Sequence, residues 1–468
     1  MTAEVAFLSA AELTAAYAAG TLSPVEATDA ALTQIERHNP ALNAFCLVDD
    51  PAARAAARDA ETRWRNGTQS GSLDGVPVSI KDLVLTRGWP TLRGSRTIDP
   101  AGPWDEDGPA VARLREAGAV LLGKTTTPEF AFKPITNSPL TGITRNPWDV
   151  SMTPGGSSGG AAAAVAAGMG PLALGTDAGG SIRIPASFSG VFGLKPSGGR
   201  VPTYPPTPLA SLVGFGPITR TVEDAARMLE AIARPDPRDW TAAIYDPAPY
   251  ASQLDADPAR WRIAYSPTFG FADVDPEVAA LAEAAATVFA GAGATVDRVE
   301  QIMDDPAPLM TKLRRGFTAF AFRNFGPEQM ALMDPDVVAE IEDSQSADLM
   351  AHMEAEMARA ELGRAMIALH QTYDFILSPT LAVPPFSAGI ERPAGHTRYS
   401  WTSFCVPFNL TRQPAASVPC GFTAANLPVG LQIVGPPHAD LAVLQAARAF
   451  EIASPWRQHR PSLPETTR

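Results

Sequence analysis

The 468-residue chain carries 37 basic against 50 acidic side chains, a formal charge of −13, which excludes nucleic acid and anionic membrane as main partners because both attract clustered positive charge. Hydrophobic residues at 45% and charged residues at 19% are enough for a large buried core and exclude a disordered chain. Cys46, Cys405 and Cys420 are odd in number and far apart, so neither a disulfide framework nor a cysteine zinc cluster is expected, and a reducing compartment is the simpler setting.

The opening run MTAEVAFLSAAELTAAY has no basic segment ahead of its apolar residues and includes Glu4 and Glu12. It reads as helix and not as a secretory signal, so a cytoplasmic location is expected. Ser9-Ala-Ala-Glu12 is a capping box opening a helix that Gly20 should stop, and Ser23-Pro24-Val25-Glu26 is a second box with proline at the first helical position. A third helix is predicted over 52–65, ending near Gly67, and residues 1–74 form an N-terminal helical segment. Val76–Ile80 then reads as a short buried strand, with Lys81 directly after it. A helical pattern over 109–117 passes through Gly118 into an apolar strand at 119–122, and an alanine-rich helix over 158–167 leads to a strand at 171–174. The uncharged stretch from Ser151 to Thr176 is built of Gly, Ala, Ser and Pro, too weakly apolar for a membrane span. Thr221-Val-Glu-Asp224 caps a helix running to about Ala233. The recurring helix-then-strand order predicts an α/β fold: one large domain over 1–468, its core at 75–233, with a mixed, mainly parallel central sheet surrounded by helices.

Residues 234–260 lack periodicity and read as a surface crossing. After a strand at 262–266, a helix at 276–290 and a strand at 295–299, a long helical region spans 306–372. It holds Met310, Phe317, Phe320, Phe322, Phe325, Met330 and Met333, which fit an ordinary helical core or, alternatively, an adaptable apolar wall on the substrate side. Strands at 375–377 and 429–434 and a helix at 440–451 complete the fold.

Two motif matches sit in the wrong context. Gly118-Ala-Val-Leu-Leu-Gly123-Lys124-Thr125 satisfies G-x-x-x-x-G-K-[ST], but a phosphate cradle needs a strand before the loop and a helix after it, and here the loop positions are themselves strand. Gly155-Gly-Ser157-Ser-Gly159 satisfies G-x-S-x-G, but the proline-broken run before it is no strand; His438 lies late enough in the chain to complete such a triad, yet each of the six histidines reads more readily as a surface or core residue. A third constellation fits its surroundings. Lys81 ends an apolar strand, Ser157 opens a helix from a glycine-serine loop, and Ser181 follows Gly179-Gly180 after another buried strand. A serine hydroxyl needs a base to become a nucleophile. Lysine serves only when uncharged, and burial lowers its reference pKa of about 10.4 by as much as ~3–5 units. A second serine can relay the proton, and the paired glycines let backbone N–H groups converge as an oxyanion hole. The serine-lysine pattern of β-lactamases is absent, since none of the lysines 81, 124, 133, 195 and 312 has serine three residues before it.

With these residues in view, the chain resembles the amidase signature family. The matching segments are GVPVSIKD at 75–82, TRNPWD at 144–149, TPGGSSGGAAAAVAAG at 153–168 and LGTDAGGSIRIPASFSGVFGLKPSGGRVP at 174–202. FNLTRQPAASVPCGF at 408–422 and LPVGLQIVG at 427–435 match too, and the resemblance covers about half of the chain. It implies that Ser181 is the nucleophile, Ser157 a bridging serine held by a cis peptide bond, and Lys81 the base. It also implies an oxyanion hole from the backbone of Ala178, Gly179, Gly180 and Ser181, bracing roles for Thr176, Asp177 and Arg183, a structural Lys195, and chemistry that needs neither metal nor cofactor. The implied partner is a small-molecule amide, for a monomer or homodimer. Members that release ammonia from glutamine within an amidotransferase usually carry glutamine where this chain has Ile184, and asparagine-methionine-aspartate where it has Thr126-Thr127-Pro128. These departures, with the apolar loop 204–215 and the Met/Phe region, lead us to expect hydrophobic or aryl amides, anilides and carbamates. The alternative is the glutamine-hydrolysing subunit of an amidotransferase.

Overall fold

The computed structural model describes residues 2–463. Its strands are β1 (Phe45–Val48), β2 (Pro77–Lys81), β3 (Val120–Thr125), β4 (Asn137–Ser138), β5 (Gly142–Ile143), β6 (Leu172–Asp177), β7 (Phe192–Lys195), β8 (Gly214–Thr219), β9 (Arg262–Tyr265), β10 (Thr295–Arg298), β11 (Phe375–Pro379), β12 (Ala415–Phe422) and β13 (Pro428–Val434). All but the β4–β5 hairpin join one sheet in the order β1-β3-β2-β6-β8-β7-β12-β13-β11-β9-β10. The sheet is mixed, as expected. Parallel pairing is concentrated in two blocks, β3-β2-β6 and β11-β9-β10, and the neighbours between and beside them run antiparallel. That parallel share is smaller than the helix-then-strand order suggests. The extra antiparallel strands in the main sheet are β1, β7, β8 and β12; glycines and prolines disguise β8 and β12 as loops (Gly214-Phe-Gly-Pro217, Pro419-Cys-Gly421), and β1 and β7 are only four residues long.

The helix starts follow their caps. Ser9 and Ser23 each accept from the backbone three residues on while Glu12 and Glu26 reach back, opening Ala10–Ala18 and Pro24–Leu42. Helix Asp50–Asn66 closes on Gly67 at φ +68°. The 306–372 region divides into Ala307–Ala321, Pro327–Met330, Pro335–Ser344 and Leu349–Leu369, each break marked by a proline or an aspartate cap. The main core lies between the sheet and the helices Val222–Ile232 and Asp440–Ala453. No helix among the described residues is long and apolar enough to cross a membrane.

The alanine-rich helix Gly159–Ala166 is buried at every residue. A Cβ on Gly160 would sit 2.3 Å from the Thr126 hydroxyl and 2.6 Å from its backbone nitrogen, so only glycine lets this helix lie against β3. The phosphate-loop match is ordinary core. Gly123 and Lys124 belong to β3, and the buried Lys124 amine donates to the Val84 carbonyl at 2.5 Å and the Thr91 hydroxyl at 3.0 Å.

Candidate active site

β2 and β6 are parallel neighbours paired Ile80 to Leu174, so their C-terminal ends deliver Lys81 and Thr176 to one place, the edge where open α/β sheets bind ligands. Across from them the chain turns through the cis Gly156–Ser157 peptide bond into the buried helix. Lys81 Nζ lies 2.7 Å from Ser157 Oγ and 2.9 Å from Thr176 Oγ1. The lysine side chain is wholly buried, at 0% exposure. Burial pushes its amine well below the ordinary lysine value, and the Asp177 charge pulls only partly the other way. Two hydroxyl contacts suit a neutral amine, which donates one N–H and accepts the Ser157 proton on its lone pair. Ser158 fixes the neighbouring strand end, its hydroxyl donating to the Thr176 carbonyl at 3.2 Å and accepting from the Thr176 N–H at 3.3 Å.

Ser181 is half-buried at the start of the turn into helix Arg183–Ser189. Asp177 holds that turn. Its carboxylate accepts from the N–H of Gly180 at 2.7 Å and of Ile182 at 3.1 Å, and from Arg183 at 3.0 and 2.9 Å. Burial alone would raise the Asp177 carboxyl, but the fully buried Arg183 guanidinium, with Lys195 and Asn409 beyond it, holds it well below the usual range. Arg183 in turn donates to the Cys405 carbonyl, Gln432 and Asn409.

Ser157, Thr176, Ala178 and Ser181 share the wall of a cavity of about 360 Å³. The rest of the lining is mostly apolar, with Leu83, Ile98, Phe130, Phe322 and Phe325, the 203–209 loop, Val213 and Phe215, and it also carries the Arg93 guanidinium. Phe130 meets Phe322 and Phe325 edge-on at centroid distances of 5.3 and 5.9 Å. Among the described residues no histidine lines this cavity, which leaves Ser157 without the partner an α/β-hydrolase elbow requires. The Met/Phe region serves both roles considered for it: Phe317, Phe322 and Phe325 face the cavity, whereas Met333 packs with Val337 and Ile341 in a small core and Phe320 is exposed.

A sequence model of the amidase family matches residues 26–444. The chain belongs to the amidase signature family. It is 38% identical to a subunit of the glutamyl-tRNA(Gln) amidotransferase of Myxococcus xanthus over 95% of this chain and 96% of that protein. It is 35% identical to an acylamidase of Rhodococcus erythropolis, covering 97% of each. The crystal structure of a bacterial aryl acylamidase of the family superposes with a TM-score of 0.90 at 32% identity, over 97% of both chains. The chain is accordingly an enzyme, a hydrolase of carbon–nitrogen bonds.

Within this amidase fold, Lys81, Ser157 and Thr176 touch, and Asp177 and Arg183 form the brace behind them. Two expectations need correction. Of the four backbone amides expected to form an oxyanion hole, that of Gly180 already donates to the Asp177 carboxylate at 2.7 Å. Among the described residues no hydrogen bond joins the Ser157 and Ser181 side chains, although both border the cavity. Sequence reasoning missed Ser158, Asn409 and Gln432. For Gln432 the signal was an amide inside the apolar run of β13, buried at every position, since a buried polar group implies a partner.

Proposed function

We propose that this chain hydrolyses hydrophobic and aryl amides, anilides and similarly shaped carbamates through an acyl-enzyme on Ser181, in a cytoplasmic setting. The observation carrying this reading is a fully buried lysine amine that meets only hydroxyls, one of them Ser157 on the wall of an apolar cavity that Ser181 also borders. The Ser181 proton passes to Ser157 as the Ser157 proton passes to Lys81, and Ser181 Oγ attacks the amide carbon. The oxyanion meets the N–H groups of Ala178, Gly179 and Ser181, each such donor contributing about 3–4 kcal/mol. The relay then returns a proton to the departing nitrogen, and water repeats the sequence on the ester. Labelling with a fluorophosphonate, followed by anilide, carbamate and primary-amide substrates, tests this: Ser181→Ala should stay folded, take no label and turn over nothing. Label appearing elsewhere, with Ser181→Ala still active, refutes it.

A second reading, the glutamine-hydrolysing subunit of an amidotransferase, is favoured by the identity with the Myxococcus protein. Against it stands Ile184, packed on Gly155 and Gly180, an apolar side chain where that subunit usually carries glutamine. Ammonia release from glutamine by the purified chain separates the two.

A further inference from the structure

Ser181 borders two cavities of very different size. Ser157 lies on the larger, of about 360 Å³, and not on the smaller, of about 60 Å³, which Gly179 reaches instead. The smaller one is lined by the apolar Ile184, Met310 and Val406 together with the cations Lys133, Arg314 and Arg398.

The consequence rests on the acyl-enzyme reading above. When the tetrahedral intermediate collapses, the bond from Ser181 Oγ to carbon stays, the carbon–nitrogen bond breaks, and the nitrogen takes the proton that Ser157 delivers. The nitrogen therefore leaves on the side of Ser157, the larger cavity. With the oxygen turned toward Ala178 and Gly179, the remaining substituent of the carbonyl carbon points into the smaller pocket. We infer that the aromatic-walled cavity receives the amine portion and the small pocket the acyl portion, so that the enzyme selects short acyl groups on bulky apolar or aromatic amines. The charged part of the small pocket's lining enforces the limit. Arg314 Nε donates to Glu340 at 2.8 Å, and Arg398 pairs with the same carboxylate, so a longer acyl chain would push apolar carbons against a hydrogen-bonded ion cluster and strip its water.

Two substrate series assayed with the intact enzyme test this division. Across acetanilide, butyranilide and octananilide, kcat/KM should fall by at least about tenfold from first to last, the scale on which a filled pocket rejects extra methylenes. Between N-methylacetamide and N-cyclohexylacetamide, whose amines are similarly basic, it should rise by about tenfold or more. Met310→Ala should raise the octanoyl-to-acetyl ratio without moving the amine ratio, and Phe325→Ala should do the reverse. Octananilide cleaved as fast as acetanilide by the wild type, or Met310→Ala shifting the amine ratio, overturns the division while Ser181 still takes the fluorophosphonate. Absence of that label overturns the acyl-enzyme reading beneath it. The wild-type series decides the matter even if Met310→Ala fails to fold.

Discussion

Lys81 is one of several buried lysines, and its partners set it apart. Burial lowers Lys124 to about 8 and Lys195 to about 7, yet among the described residues Lys195 donates only to the carbonyls of Pro196 and Gln413, and Lys124 to the Val84 carbonyl as well as to hydroxyls. A carbonyl oxygen can only accept. A hydroxyl can also give up a proton, and both partners of Lys81 are hydroxyls, so its lone pair has a proton source within reach. In the proposed mechanism the neutral amine is the active form, so kcat/KM should fall by about tenfold per unit as pH drops below the folded-state pKa of Lys81. Lys81→Ala should remove this limb together with most of the activity near neutral pH; near-wild-type rates in that variant would refute the base assignment. Stability carries a second signature. The unfolded lysine keeps its proton up to about pH 10.4, whereas the folded one gives it up at lower pH, so in that window the unfolded state binds more protons and stability rises with pH. Denaturant melts of wild type and Lys81→Met at pH 7 and pH 10 should show the wild type gaining on the variant as pH rises. A constant difference would mean that the lysine is charged in the fold.

The turn from β6 into helix Arg183–Ser189 forms because Asp177 gathers N–H groups that would otherwise be unpaired at the helix start. A Cβ on Gly180 would lie 2.7 Å from Cys405 Cβ, at a φ of +120° that other residues rarely adopt. Gly180→Ala should therefore displace the oxyanion turn and lower kcat by roughly 10²–10³-fold, the cost of losing a donor there, with far-UV circular dichroism unchanged. Asp177→Ala leaves Arg183 buried without its counter-charge and should destabilise the fold by about 3–5 kcal/mol in denaturant melts; a loss below about 1 kcal/mol would show that Asn409 and Gln432 hold the guanidinium unaided. Elements with strong local signals were legible in the sequence: the two capping boxes, the helix ending at Gly67, and the apolar strands β2, β3 and β6 that carry the site. β8 and β12 escaped because sheet neighbours far along the chain supply the pairing that their glycines and prolines disfavour locally, and β1 and β7 because four residues are too few to show a period. The site was readable where it is local, as with Ser157, Ser181 and Lys81 at the ends of recognisable elements. Its support was not, because Arg183 reaches Asn409 and Gln432 across 226 and 249 positions and no periodicity records such a contact.

At the scale of the molecule, the proposed chemistry sits on the central sheet, and part of the cavity's apolar wall comes from a separate helical region. Lys81 and Thr176 ride on the central sheet, whereas Phe317, Phe322 and Phe325 come from the helices at 307–344 and their connections. The two layers are joined by ion clusters. Lys133, 2% exposed, pairs with Asp334 at 2.7 Å, Asp336 at 2.9 Å and Glu391 at 2.9 Å. Arg314 donates to Glu340 and to the Phe132 carbonyl. Removing the Lys133 ammonium would leave three carboxylates crowded at the seam, two of them partly in water, so the loss belongs at the low end for broken buried pairs, about 3 kcal/mol. The catalytic groups should stay in register, because β2 and β6 are held by the sheet, while the apolar wall loosens. Lys133→Met should therefore raise KM for apolar amides several-fold with kcat changed little, and speed hydrogen exchange across 307–344 while leaving 172–177 protected. Equal deprotection of both segments, or a fall in kcat at unchanged KM, would mean that the helical layer and the catalytic sheet form one cooperative unit and that Lys133 does not act as a clamp between them.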